Sequence, residues 1–219
     1  MTSEQLCAAL HTLLDALPMH HAPGPGLPDN GLYFFYEDGE VSDHTGLPRV
    51  VRVGNHPRSQ NGLVSRLRLH YSGTKNSSVF RRLLGGALMR RADPDHPCLQ
   101  PAPGKGHWEK QSANTCVRCR PTEAEVSRLL REKFRFRCVR IDDMRERNDF
   151  EARLIACLSQ CPRCHPSAAW LGQYAYSQTV RDSGLWNSQY VRARREFGER
   201  DLKRIEVLVK QSISLASPI

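Results

Sequence analysis

The chain begins with apolar residues at helical spacing and continues with strand-like runs. Leucines and alanines recur at steps of three and four over residues 4–17, which predicts an amphipathic helix. The stretch "HAPGPGLPDN" then breaks the helix. The runs "GLYFFYEDGE" and "PRVVRVG" follow, and their aromatic and β-branched residues predict a hairpin with its loop around residues 38–47.

The remainder of the chain is mostly helical in pattern. Helices are predicted for "NGLVSRLRLHY", "SSVFRRLLGGALMRR" (capped by Ser77 or Ser78), "DMRERNDFEARLIACLSQ" and "GERDLKRIEVLVKQSISL". The stretch "TEAE" at 122–125 is a capping box in pattern and predicts the start of another helix, and the alternating "FRFRCVRI" predicts a third strand. The order predicts an α/β (α+β) fold with a small central sheet flanked by helices.

Composition and charge narrow the class of protein. The chain has 219 residues, of which 39% are hydrophobic and 25% charged, enough for one good core. It has no run of 18 apolar residues and no secretory signal at its start, so we expect a cytoplasmic protein with no membrane partner. The formal net charge is +9, and arginine contributes much of it. Because guanidinium binds phosphate well, we favour a nucleic-acid ligand over a merely solvated basic surface.

Charged side chains lie on apolar helix faces. Arg66 and His70 share a face with Leu63 and Leu67, and Glu151 shares a face with leucines and isoleucine of a later helix. The alternatives are an arginine that extends past the core edge and a first-turn glutamate that stabilises its helix. Together, a carboxylate that can hold a divalent cation and an arginine beside it are the parts of a phosphodiester hydrolase.

The same segments resemble the GIY-YIG nuclease domain. Residues 31–33 (Gly-Leu-Tyr) and 52–54 (Arg-Val-Gly) match its two signature triplets, and the arginine and histidine four residues apart match its first helix. "FEARLI" matches its glutamate helix, and "SGLWN" supplies Asn187. The resemblance covers about residues 30–190 with an inserted Cys-containing segment at about 92–120. Residues 1–29 are then an N-terminal helix and linker, and residues 191–219 are a C-terminal helix packed on the domain.

The resemblance implies a metal-dependent endonuclease acting on DNA in restriction, defence or repair. Tyr33 would be the general base or would position the attacking water, and Arg66 would stabilise the pentacovalent phosphate. His70 would contact the phosphate or assist proton transfer, Glu151 would bind Mg²⁺ or Mn²⁺, and Asn187 would support the site. Arg68 is an alternative to Arg66, because the stretch after Gly54 is longer than usual in the family.

One position departs from the family pattern. Arg52 stands where the family has its second signature tyrosine, and arginine cannot act as a base at neutral pH. Arg52 can instead bind phosphate, and the predicted nucleic-acid contacts are Arg52, Arg58, Arg68 and Lys75. The predicted DNA-contacting loops are residues 58–66 and the insert at 92–115. The departure also permits a non-catalytic, zinc-stabilised DNA- or RNA-binding protein that retains the fold. A third interpretation, an RNA platform, predicts no cluster of Tyr33, Arg66 and Glu151.

Two C-x₂-C pairs form a candidate zinc site. Eight cysteines in a cytoplasmic chain argue against disulfides, and Cys116, Cys119, Cys161 and Cys164 could meet at one tetrahedral Zn²⁺. His107 and His165 are alternative ligands, and four reduced cysteines are the alternative to zinc. Such an ion would be structural, since four thiolates leave no open position.

The oligomeric state is a separate expectation. Cleavage of a palindrome would call for a homodimer.

Overall fold

The structure is a computed structural model that describes residues 1–56, 62–99, 108, 117–194 and 196–216. Its strands are β1 (Gly31–Val41), β2 (Pro48–Gly54) and β3 (Phe134–Arg140). Its α-helices are α1 (Ser3–Asp15), α2 (Gly62–Ser72), α3 (Val79–Ala92), α4 (Arg120–Lys133), α5 (Met144–Ser159), α6 (Gln178–Ser183) and α7 (Glu199–Ala216). Short 3₁₀ turns lie at Val117–Cys119 and Leu171–Tyr174. The predicted α+β class with a small sheet is confirmed.

The described strands form one antiparallel sheet in the order β2-β1-β3, so β1 is central. Tyr33 on β1 lies opposite Gly54 on β2 and opposite Cys138 on β3. The ladder between β1 and β2 shifts register after Phe35 and again before Val41. The long hairpin therefore stays regular at the end that carries Tyr33 and Gly54.

The sheet separates two hydrophobic cores, because successive side chains of a strand point to opposite faces. Leu32 and Phe34 pack with α1, α5 and α7, whereas Tyr33 and Phe35 pack with α2, α3 and α4. Both terminal helices thus share the core of the central strand. The proposed boundaries at residues 29 and 190 remain a prediction.

Two local expectations have different outcomes. Ser78 is the N-cap of α3, and its side chain accepts a hydrogen bond from the Arg81 backbone N–H. The capping box at 122–125 is wrong: α4 begins at Arg120 with a proline in its first turn and no side-chain cap. Proline explains the earlier start, since its fixed φ suits the first helical turn and its missing N–H costs nothing there.

Most of the predicted inserted loop lies outside the described residues. Trp108 is described, fully buried beside Met89 and Cys119, and its indole N–H donates to the Arg82 carbonyl at 2.8 Å. Within the described part of the chain, no helix has the length and apolarity needed to cross a membrane.

Phe35 anchors the core on the α2–α4 side. It is 0% exposed and its ring meets those of Tyr33, His70 and Phe80, among others. We predict that Phe35→Ala lowers the free energy of unfolding by about 3–5 kcal/mol, because a cavity replaces the ring. Val41→Ala, at the half-exposed end of the same strand, should change it by less than about 0.5 kcal/mol. Urea denaturation measures both, and equal effects would contradict the assignment.

Candidate active site

A cleft of about 280 Å³ opens beside the end of β2, between the sheet and α5. It combines one carboxylate, two guanidinium groups, two tyrosines and several amides. Its lining residues include Tyr33, Arg52, Asn55, Arg66, Glu151 and Asn187. Five of the predicted site residues therefore lie around one small volume.

Tyr33 is held tightly across the neighbouring strand. A Cβ built on Gly54 would lie only 2.4 Å from the Tyr33 hydroxyl oxygen, so the ring occupies space that any side chain at position 54 would need. The hydroxyl lies 2.8 Å from Nε2 of His70. Glycine at the end of the second triplet is therefore a packing requirement of the tyrosine in the first.

His70 lies behind Tyr33 and does not line the cleft. It is fully buried, and its Nδ1 lies 2.7 Å from Oγ of Ser78, the α3 cap. Burial lowers the pKa of His70 well below its usual value, and the nearby arginines, first among them Arg66, lower it further. A neutral imidazole has one donor and one acceptor nitrogen, which matches its two partners. His70 is thus a neutral link between Tyr33 and Ser78.

Arg52 is buried and places its guanidinium at the position of the second signature tyrosine. Its guanidinium donates to the Trp186 carbonyl and lies 5.0 Å from the centroid of the Phe80 ring. Burial lowers the pKa of Arg52, and the neighbouring Tyr33 hydroxyl and Glu151 carboxylate oppose that shift. Its Nε has no hydrogen-bond partner among the described residues. An arginine remains protonated at neutral pH, so the cleft contains a charged donor that is not fully used.

Arg66 supplies the second guanidinium. It donates to the Ser77 carbonyl at 3.0 Å, while its Nε is buried without a partner in the described part of the chain. Arg68, the alternative, is exposed on α2 and is not among the cleft residues. The helical face shared with buried Leu63 and Leu67 therefore turns Arg66, rather than Arg68, toward the cleft.

Glu151 lines the opposite wall, on α5. One of its carboxylate oxygens accepts a hydrogen bond from Nδ2 of Asn55 at 2.9 Å. Burial raises the pKa of Glu151 although Arg52, Asn55 and Arg66 act in the other direction. The positive groups around it do not compensate fully for its desolvation, and a hard divalent cation prefers oxygen ligands of this kind. The donor chemistry at Glu151 therefore fits Mg²⁺.

Asn187 completes the wall by pairing with the outer edge of β2. Its side-chain oxygen accepts from the Val53 N–H at 3.1 Å and its amide donates to the Val53 carbonyl at 2.8 Å. The preceding Trp186 N–H donates to the Val51 carbonyl at 2.7 Å. The segment thus acts like a short extra strand, and Asn187 holds the end of β2 in place.

Other predicted residues lie elsewhere. Lys75 is fully buried, with its ammonium 5.8 Å from the centroid of the Trp108 ring, so a structural role replaces the predicted nucleic-acid contact. Arg58 and Cys116 fall outside the described residues.

The sequence analysis missed two residues that contribute to the site. Asn55 bonds to Glu151, and Ser78, predicted only as a helix cap, also bonds to His70. Asn55 directly follows the second triplet, which was the available signal.

Among the described residues, the structure does not bring Cys119 of the first pair to Cys161 and Cys164 of the second. Cys119 lies beside Cys98, with the sulfurs 3.1 Å apart, in a cluster next to the α3–α4 side. Cys161 and Cys164 belong to the core on the α1–α5–α7 side of the sheet. The sheet lies between α4 and α5, which explains the separation. Among the described residues, the Cys and His groups arranged to hold a metal combine Cys161 or Cys164 with Cys7 and a histidine.

Comparison with known proteins gives one finding. The model of the GIY-YIG domain matches residues 6–214, a range that contains the whole cleft. Neither the comparison with curated proteins nor that with solved structures returned a match. The chain therefore belongs to the GIY-YIG domain family, and this membership supports a nuclease-type function.

Proposed function

We propose that the chain is a metal-dependent endonuclease that hydrolyses phosphodiester bonds in DNA. The observation that carries the proposal is the composition of one cleft: the half-buried carboxylate of Glu151 faces two arginines whose Nε donors lack partners in the described structure. A phosphate in the cleft would lie beside both guanidinium groups and accept hydrogen bonds from their N–H donors. The family match independently supports nuclease chemistry.

The arginines bind and stabilise the phosphate. Arg66 is fixed at one end by the Ser77 carbonyl, and Arg52 is fixed by the Trp186 carbonyl, so each is already oriented before DNA enters. Donors that are oriented in advance stabilise the charge that develops on the phosphoryl oxygens more than flexible ones do. Fixing both side chains also reduces the entropy lost when DNA binds.

Tyr33 is the general base for the attacking water. Its own hydroxyl proton can lie toward Nε2 of neutral His70, which leaves the oxygen free to accept the proton of water while its own proton is shared with His70. The lowered pKa of His70 favours the return of that proton once the water has been consumed. Arg52 is close enough to stabilise negative charge on the tyrosine oxygen during the transfer. Hydroxide then attacks phosphorus and the leaving oxygen departs with a proton from solvent. This explains how one tyrosine can suffice where the family has two.

Glu151 holds Mg²⁺, or Mn²⁺ in its place, and Asn55 orients the carboxylate. A bound divalent cation supplies Lewis-acid stabilisation of the phosphate charge. Asn187 supports the site through β2. Exposed Arg68 extends the basic surface for DNA, in line with a net charge of +9, and Arg58 stays a predicted contact outside the described residues. The setting is restriction, defence or repair in the cytoplasm, with a homodimer where both strands of a palindrome are cut.

Arg52 also favours a second candidate function. A protein that retains the fold and the basic cleft but lacks the second tyrosine could bind DNA or RNA without cleaving it. In that case the two arginines hold a phosphate, and zinc stabilises the chain without a catalytic metal. Binding without metal-dependent cleavage distinguishes this candidate from the nuclease.

We predict that the chain nicks supercoiled plasmid with Mg²⁺ or Mn²⁺, and that Glu151→Gln lowers the rate by about 100-fold or more. The amide keeps the shape of the carboxylate but loses the charge that binds the cation. The matched control is Glu146→Gln on the same helix, because Glu146 pairs with Arg204 away from the cleft. Its rate should equal that of the unaltered chain. DNA binding with no nicking by the unaltered chain would favour the second candidate.

We predict that Tyr33→Phe lowers the cleavage rate by about 10²–10⁴-fold and leaves DNA affinity within about twofold. The ring remains against Gly54, so only the hydroxyl bonded to His70 is lost. Tyr71→Phe is the control, since Tyr71 is buried nearby and its hydroxyl has no partner in the described structure. Single-turnover nicking and DNA binding separate the two effects. An equal loss in both variants would show that packing, not proton transfer, is responsible.

We predict that Arg52→Lys lowers the cleavage rate by about 10²-fold, because lysine has a point charge and lacks the planar set of donors. Arg128→Lys on the exposed face of α4 should cleave normally. Cleavage measured at saturating DNA isolates the transition-state effect from binding. A full rate with Arg52→Lys would remove Arg52 from the mechanism.

A further inference from the structure

A second cluster of metal-binding side chains lies on the opposite face of the sheet from Tyr33. Cys7 lies on α1, His44 in the β1–β2 turn, and Cys161 and Cys164 follow α5. The ligand atoms of Cys7, His44 and Cys161 all lie within 4.8 Å of one another, and those of Cys7, His11 and Cys164 do likewise. Three distant segments of the chain therefore converge on one small volume that the nuclease cleft does not include.

Hydrogen bonds decide which of the two histidines is available. Nδ1 of His11 lies 2.9 Å from the Cys7 carbonyl and Nε2 accepts the Val50 N–H at 3.3 Å, so both ring nitrogens have backbone partners. Nε2 of His44 instead approaches Sγ of Cys161 to 2.9 Å. His11 thus orients the α1 segment, and His44 offers its nitrogen to the cluster.

We propose that Cys7, His44, Cys161 and Cys164 bind one structural Zn²⁺. Three thiolates and one imidazole are a common ligand set for structural zinc, and they leave no position open for catalysis. Bonds of about 2.3 Å to sulfur and about 2.0 Å to nitrogen give tetrahedral edges of about 3.5–3.8 Å. The ligand atoms of Cys7, His44 and Cys161 lie within 4.8 Å of one another, near this value, and Sγ of Cys164 lies within 4.8 Å of Sγ of Cys7. As the ion enters, the pair of His44 and Cys161 opens by about half an ångström and Cys164 closes the tetrahedron.

The local backbone is suited to such a site. The Cys164 N–H donates to the Cys161 carbonyl at 3.3 Å, which closes the C-x₂-C stretch into a tight turn. The turn around His44 is closed as well, by the Ser42 N–H to the Leu47 carbonyl at 2.8 Å. The three cysteines are buried and His44 is half-buried, so the ion would be shielded from solvent. It would join α1, the hairpin turn and the end of α5.

The test is the metal content of the full-length chain without an affinity tag. After loading with Zn²⁺ under reducing conditions and desalting, the double variant Cys161→Ser/Cys164→Ser should contain about one zinc ion per chain fewer than the unaltered protein. Cys157→Ser, one turn earlier on α5, and Cys119→Ser should retain this zinc. Zinc that persists in the double variant and disappears in Cys119→Ser would overturn the proposal, as would an unaltered chain that binds none.

A second measurement is independent of whether the double variant folds. His44 lies in a half-buried turn, so His44→Ala should leave the fold intact and lower Zn²⁺ affinity by about tenfold or more in chelator competition. Co²⁺ bound to the unaltered chain should show thiolate-to-cobalt charge-transfer absorption and a tetrahedral d–d band, and the d–d band should shift in His44→Ala. An unchanged affinity and spectrum in that variant would overturn the ligand set.

Discussion

The close approach of the Tyr33 ring to the backbone of Gly54 is the constraint on which the candidate active site depends. A side chain at position 54 would collide with the ring within 2.4 Å of the hydroxyl oxygen, so only glycine lets the tyrosine cross the neighbouring strand. The crossing brings the hydroxyl to His70 and places its oxygen at the cleft. The position of the tyrosine hydroxyl, and so its chemistry, therefore depends on the absence of a side chain at Gly54.

The hydrogen bonds behind the tyrosine make this arrangement rigid. His70 is fully buried and neutral because burial and nearby arginines oppose its protonation. It connects Tyr33 with Ser78, which at the same time caps α3. A buried polar chain of this kind is stable only when each member has a partner, and here the helix cap supplies the last one. Displacing the histidine would thus disturb both the tyrosine and the start of a helix.

Sequence periodicity was sufficient to predict most of the fold. Apolar residues at every second position predict the strands, and apolar residues at steps of three and four predict the helices. The burial of Leu63 and Leu67 also determines that Arg66 and His70 face inward, so part of the site could be predicted. Residues that join the site through a single hydrogen bond could not be predicted from the sequence. Asn55 contacts Glu151 only because the chain turns there after β2. The grouping of cysteines failed for a related reason. The spacing of the cysteines carries no information on the face of the sheet, and Cys119 lies near α3 and α4 whereas Cys161 and Cys164 lie in the core on the other side.

The helix α5 links the cleft with the cysteine cluster. Glu151 projects from it into the cleft, and Cys161 and Cys164 follow its C-terminal end. Its apolar side chains, among them Leu154 and Leu158, are buried in the core that also contains Cys7. A catalytic carboxylate must be held to within a fraction of an ångström, and a side chain on a helix is only as well placed as the helix itself. An ion that fixed the end of α5 to α1 and to the hairpin turn would therefore also restrain Glu151 relative to β2 and Arg52.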